Sequence, residues 1–272
     1  MTLRALLRDL TPPLLLRAAR RVDRGRSLRF DGDYASWEDA RKGSGGYDSA
    51  EISRRVFEAE IKVKRGDAAD ARDGVCFDKV QFSLPVMAAL ARATAMRTGS
   101  VRVLDFGGAL GGLYRQFKAF MPAAGVAWTV VEQPHYVELG REHFQNQDLR
   151  FAASLDEALR GGPADVALLS SVLQYLPEPH ELLKRIALSA APHVVIDRTP
   201  CSGLARDVLT VQTVPPAIYP ASYPCWIFSR RRLEAAFNAT YNLVSAFADG
   251  TGEWQSSACA FELAGFILDR RR

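Results

Sequence analysis

The stretch VRVLDFGGALGG, residues 101–112, constrains the fold of this chain more than any other segment. Its mostly apolar first six residues read as a strand and the segment from Leu110 onward as a helix, so the glycines fall in the turn between them. Such a turn lies at the carboxyl edge of a sheet, where open α/β sheets bind their ligands. After Val101, short aliphatic runs alternate with helical segments. The strands are read at 101–106, 126–131, 149–152, 164–169 and 193–197, and the helices near 111–120, 135–145, 155–160 and 178–190. The alternation predicts βαβ units and a parallel sheet covered on both faces.

Before Val101 the pattern predicts helices and loops without a sheet of their own. There is a short helical piece at Trp37–Arg41 and a helix from Ser49 striped by Ile52, Val56, Phe57 and Val63. A third helix follows, with Pro85 in a first turn capped by Ser83 or at a kink. Residues 199–228 read as a long irregular insertion. A helix from about Arg230 to Asn238 and two apolar segments, 241–248 and 258–268, complete the chain, the last two joined as a hairpin. The expected division is a helical cap region over 1–98 and an α/β domain over 99–272.

Composition narrows the setting. With 272 residues, 48% of them hydrophobic, the chain can bury a substantial core. No apolar run approaches the roughly 20 residues that span a bilayer. Cys76, Cys201, Cys225 and Cys259 lack metal-ligand spacing, so reduced thiols in a cytoplasmic protein and no metal are expected. Net charge is +4, yet residues 1–30 hold eight arginines against Asp9 and Asp23, with leucines at helical spacing. That start reads either as a docked helix with a solvated arginine face or as a peripheral contact with the inner face of a membrane. No aromatic residue precedes Phe30, which leaves no strong nucleic-acid signal.

Three ligand classes use a glycine-rich turn after a strand. A Walker phosphate loop requires lysine and a hydroxyl where this chain has Leu113 and Tyr114, which excludes it. A dinucleotide fingerprint, read from Gly107, meets Ala109 at its second glycine; read from Gly108, it meets Leu110. The third pattern is an acid, one residue, then small residues at alternate positions: Asp105, Gly107, Gly108, Ala109 and Gly111. This resembles the first motif of class I S-adenosylmethionine-dependent methyltransferases, with Ala109 in place of the middle glycine. The resemblance covers about residues 99 to 272 and implies a Rossmann-like, mostly parallel sheet with an antiparallel last strand. It implies S-adenosyl-L-methionine as cofactor.

Glu132 ends the strand 126–131, where a carboxylate can accept hydrogen bonds from ribose hydroxyls; dinucleotide enzymes use the same device. The resemblance assigns Gln133 to the same side, Ser154 and Leu155 to the adenine, and Ser170 to the methionyl portion. Gln174 stands where a histidine is frequent in the family. The segments YASWEDA, VLDFGGALGG, VEQP, SVLQYLP, IDRTP and PASYPCWIFS resemble a group of bacterial methyltransferases associated with surface-polysaccharide synthesis. That points to O-methylation of a small-molecule or glycan-related acceptor.

For the acceptor, Asp197 is the candidate base at the end of the fifth strand, and Arg198 can bind a phosphate or carboxylate. The same two residues can equally form a simple ion pair. Tyr219, Tyr223 and Trp226 can stack on an acceptor ring or pack the insertion onto the sheet, and Trp37 or Tyr47 can add to the pocket. His135, His143, His180 and His193 read as structural or exposed. Two other readings remain: a non-catalytic S-adenosylmethionine-binding partner or sensor, and an NAD-dependent oxidoreductase.

Overall fold

A computed structural model describes residues 28–45, 49–216 and 221–271. The arginine-rich start up to residue 27 lies outside them, and so does the reading given to it. The chain begins with β1 (Arg29–Asp31), α1 (Trp37–Lys42), α2 (Ser49–Arg65), β2 (Asp70–Arg72), β3 (Val75–Phe77) and α3 (Leu84–Ala95). The alternating part follows: β4 (Val101–Phe106), α4 (Gly112–Phe120), β5 (Val126–Val131), α5 (Pro134–His143), β6 (Leu149–Ala152) and α6 (Leu155–Leu159). Next come β7 (Val166–Ser170), a 3₁₀ turn (Leu173–Tyr175), α7 (Pro179–Leu188) and β8 (His193–Ser202). The last elements are β9 (Val208–Val214), β10 (Ala221–Ser229), α8 (Arg230–Ala235), β11 (Tyr241–Gln255) and β12 (Ala260–Arg270). No helix among the described residues is long and apolar enough to cross a membrane.

Five strands run parallel in the order β6–β5–β4–β7–β8. β12 pairs antiparallel with the far edge of β8, and β11 antiparallel with β12. The expected class, a mostly parallel Rossmann-like sheet with an antiparallel last strand, is the one observed. The strands read at 101–106, 126–131 and 149–152 have those limits. Their side chains alternate between two cores, as a sheet covered on both faces requires. Val103, Trp128, Val130, Leu168 and Val195 pack with Met87, Leu90, Phe117 and Val137 of α3, α4 and α5. Leu104, Val131, Ala167, Leu169 and Ile196 pack with Leu155, Leu182, Ile186 and Leu233 of α6, α7 and α8.

Two expectations are corrected. The region before Val101 is not free of strands, because β2 and β3 form a hairpin and β1 joins the main sheet beside β9. The segment 199–228 is not irregular: β8 continues to Ser202, and β9 and β10 form an antiparallel extension. The prolines there suggested loop, but the strand pattern of VLTVQTV prevails once β10 supplies a partner.

β8 belongs to both parts of the sheet. Its first half pairs with β7 as far as Asp197, and Cys201 and Ser202 then pair with β10. On its other edge Ile196 faces Phe266 and Thr199 faces Ala264, so Asp197 and Arg198 together oppose Gly265. This is a β-bulge, and Arg198 takes the left-handed conformation there, at φ 50°. Gly265 is required by its surroundings, since a Cβ would stand 2.1 Å from Phe247 Cζ and 2.8 Å from the Ile196 carbonyl oxygen. Gly265→Ala is therefore expected to lower stability in urea unfolding by roughly 1–3 kcal/mol, the usual cost of overpacking. Gly203→Ala, where a methyl meets open space, is the control and should change stability little.

Candidate functional site

The turn between β4 and α4 has an unusual backbone. Gly107 and Gly111 have φ 78° and 83°, and Ala109 has φ 47°. The alternate small residues in the sequence thus coincide with left-handed positions, which glycine occupies most easily. A Cβ on Gly107 would lie 2.4 Å from Val172 Cγ2, and one on Gly108 would lie 2.3 Å from Asp105 Oδ2. These two glycines let the turn close against the residues that follow β7 and against Asp105.

Asp105 is 1% exposed. Trp128 Nε1 donates to its Oδ2 at 3.1 Å, while Oδ1 is buried without a hydrogen-bond partner among the described residues. Burial pushes its carboxyl up to about 7, aided by the nearby Glu132 charge and opposed by the Trp128 bond. The Glu132 carboxylate, at the tip of β5, accepts from the backbone N–H of Ala109 at 3.2 Å and of Gln133 at 2.8 Å. Burial raises its pKa, and those two bonds partly offset the rise. The turn and the tip of the neighbouring strand are therefore tied together through this side chain.

Beside them lies a polar cluster at the end of β7 and in mid-β8, where pairing between the two stops; Asp197 does not end its strand as expected, because β8 runs on to Ser202. Ser170 Oγ donates to Asp197 Oδ2 at 2.7 Å, and Arg198 Nη2 donates to Ser170 Oγ at 2.9 Å. Arg198 Nε lies 3.2 Å from Asp197 Oδ2. The simple ion-pair reading of Asp197 and Arg198 is thus present in the molecule. Arg198 Nε is buried without a hydrogen-bond partner among the described residues. Gln174 Nε2 donates to Ser171 Oγ at 3.1 Å, and its Oε1 is buried without a partner among the described residues. Ser171 is left-handed, at φ 54°. Three non-glycine residues in that conformation, Ala109, Ser171 and Arg198, meet at this edge, a concentration typical of ligand sites.

The other expected residues are more dispersed. Ser154 caps α6, its Oγ accepting from Glu157 N at 3.1 Å, and Leu155 is a core residue at 3% exposure, so it offers little surface to a ligand. Tyr223 and Tyr175 meet edge-on at 5.3 Å. Gln212 joins them, accepting from Tyr175 Oη at 3.1 Å and donating to Tyr223 Oη at 3.3 Å. Trp226 stacks on Trp37 with centroids 6.5 Å apart and donates to the Leu176 carbonyl at 3.0 Å, so it packs the extension onto the sheet. Tyr47 and Tyr219 lie outside the described residues. His180 pairs with Asp207 and His193 with Asp269, His143 packs beside the Phe57 ring, and His135 has a buried Nε2 without a partner among the described residues.

Sequence reasoning passed over Arg72. The β2–β3 turn is Asp73-Gly74, both with positive φ (51° and 78°), the two-residue hairpin signal that RDGV carries. Burial, and secondarily the positive charge of Arg198, lower the Arg72 pKa. α2 is fixed nearby by a buried pair between Glu60 and Arg115 of α4, and Arg115 also donates to the Leu110 carbonyl in the turn.

No family model and no curated protein matches the sequence. Among solved structures, the N-terminal domain of EvdMO1 with SAH bound is 20% identical, with a TM-score of 0.48 over 83% of this chain and 98% of that one. The cyclase SpnF is 14% identical, with a TM-score of 0.46 over 69% and 80%. CalS10 from Micromonospora echinaspora, an amino pentose methyltransferase with SAM bound, is 16% identical, with a TM-score of 0.44 over 69% and 91%. At such identities and TM-scores no chemistry carries over from these proteins to this chain.

The raised Asp105 pKa has a signed consequence. The stability it supports is whole below the unfolded value, roughly 4, and is lost as pH rises through about 7. Asp105→Asn keeps an acceptor for Trp128 and cannot ionise. Between pH 5 and 8 wild type should lose stability relative to this variant by roughly 2–3 kcal/mol in urea unfolding, because only the stretch from pH 5 to the folded value of about 7 contributes. Parallel pH curves would remove the buried, titrating Asp105 from the account.

Proposed function

We propose that the chain binds S-adenosyl-L-methionine at the turn after β4 and transfers its methyl group to a small-molecule or glycan-related acceptor. One observation carries this reading: the Glu132 carboxylate is bonded to the left-handed, small-residue turn that follows β4. The antiparallel β11–β12 hairpin supports it too, being the ending that the methyltransferase resemblance implies. The residues fit the cofactor: the turn carries only glycine and alanine apart from Leu110, which is buried in the core, Glu132 can face a pair of hydroxyls, and Asp105 Oδ1 is a buried acceptor in want of a donor.

When bound, the cofactor supplies a methyl group on a sulfonium sulfur. The chain's own part is to hold and orient. Glu132 is set by the N–H groups of Ala109 and Gln133 so that its free lone pairs can accept from the ribose. Ser170 holds Asp197 and Arg198 in one arrangement at the acceptor side. Asp197 Oδ1 is the candidate site for an acceptor hydroxyl proton, which keeps Asp197 as the proposed base for O-methylation. Tyr223, with Tyr175, offers an aromatic wall of the kind that suits a sugar ring. A surface-polysaccharide role rests on the sequence resemblance alone.

The engagement of Asp197 Oδ2 by both Ser170 and Arg198 favours one other reading, a protein that binds the cofactor without turnover. Glu132→Gln tests the shared premise by calorimetry with S-adenosylhomocysteine. Losing hydrogen bonds to a charged acceptor should weaken binding about 10–100-fold, beyond the small drop in ligand-free melting expected because the amide keeps only one of the two oxygens that accept from Ala109 and Gln133. Unchanged affinity would take Glu132 out of the site.

A further inference from the structure

We propose that Glu60, on α2, is a positioning residue for the turn after β4, which it holds through Arg115. The ligand of that turn rests on the proposed S-adenosyl reading, whereas the tie itself rests on contacts within the chain.

Glu60 is 5% exposed, and its Oε2 pairs with Nη2 of Arg115 on α4. The other arm of the same guanidinium, Nη1, donates to the Leu110 carbonyl at 3.1 Å. Leu110 lies between Ala109 and Gly111, both left-handed, and its own side chain is buried in the core. One arginine thus joins a helix of the N-terminal region to the middle of the turn. Glu60 also stands against the first residue of α4. A Cβ on Gly112 would lie 3.6 Å from Glu60 Oε1 and 4.0 Å from the Ala71 carbonyl oxygen. A carboxylate is favoured there, beside the N–H end of a helix.

Arg115 depends on this partner. Its charge is largely withdrawn from water, and burial lowers its pKa to about 10. Its Nε is buried without a hydrogen-bond partner among the described residues. The Phe144 ring, 5.9 Å from the guanidinium carbon, adds only a weak attraction. Glu60 supplies the opposite charge. A buried cation that loses its carboxylate is strongly destabilised where it stands. The guanidinium would then turn outward to water and leave the Leu110 carbonyl. A second polar tie joins the same N-terminal region to α4 without touching the turn. Gln116 Nε2 donates to Asp70 Oδ2 at 3.0 Å, and Gln116 Oε1 accepts from Ser83 N at 3.3 Å. Breaking that tie shows what mere loosening of the region does.

The test is backbone hydrogen exchange in the ligand-free full chain, read on a peptide spanning residues 107–112, with calorimetry of S-adenosylhomocysteine on the same proteins. Glu60→Gln should speed exchange in the turn and weaken S-adenosylhomocysteine binding, each by about tenfold or more. Glu60→Asp, which keeps the charge, should recover part of both. Asp70→Asn should lower the melting temperature while leaving turn exchange and affinity near wild type. Arg115→Lys keeps a charge beside Glu60 but not the planar fork that also reaches Leu110. It should show the same faster exchange, and it carries the test if Glu60→Gln fails to fold. Turn exchange equal to wild type in Glu60→Gln or Arg115→Lys would overturn the proposal. Equal acceleration in Asp70→Asn would overturn it too, by making the tie a general brace. Faster exchange with unchanged S-adenosylhomocysteine affinity would overturn it as well. If no form binds S-adenosylhomocysteine, the methyltransferase reading falls, and the exchange rates alone decide whether Glu60 holds the turn.

Discussion

The bulge in β8 is the constraint on which the polar edge of the candidate site depends. A regular strand would carry the parallel sheet straight past β7. Two residues set against the single Gly265 instead let β8 leave β7 at Asp197 and meet β10 at Cys201. The strand thus pairs with both β7 and β10, and Asp197 and Arg198 stand where it changes partner. Bulges near ligand sites commonly re-aim side chains in this way. Here the re-aimed side chain is Arg198, turned onto Ser170 and Asp197.

Against that edge the glycine turn makes the second half of the candidate site. Its electrostatics follow from burial more than from net charge. Asp105 and Trp128 share a dry position beneath the turn, which keeps much of Asp105 protonated near neutrality. Glu132 stays nearer to solvent and gains two backbone donors. Two carboxyls close together can differ in protonation when only one is fully removed from water. Burial holds both carboxyls above their usual range, the more fully buried Asp105 up to about 7.

The sequence displayed the α/β part of this fold well and the rest poorly, for physical reasons. Strands such as VAWTVV are buried on both faces, so their apolar runs announce them. β9 and β10 lie in a region with Pro200, Pro215, Pro216 and Pro224, and their identity as strands depends on pairing with each other. β1 has three residues and no pattern of its own; only Phe30, packed on Phe261 and Trp254, explains it. In the site, Asp105, the glycines and Glu132 were legible because local backbone geometry demands them. The Ser170–Asp197–Arg198 cluster was legible as residues but not as an arrangement, since a bulge depends on its partner strand. Arg72 was hidden because its hairpin signal, Asp73-Gly74, sits in a polar stretch that reads as loop. Leu155 shows the converse, a residue whose place in the sequence suggested ligand contact and whose burial makes it core.

The central claim is that the turn after β4, with Glu132, holds an S-adenosyl group. Its most direct test is calorimetric titration of the purified chain with S-adenosylmethionine, S-adenosylhomocysteine and NAD in separate experiments. The account predicts roughly micromolar binding, about −8 kcal/mol, for the first two and none for NAD. Binding of NAD alone would contradict it and return the turn to the dinucleotide class.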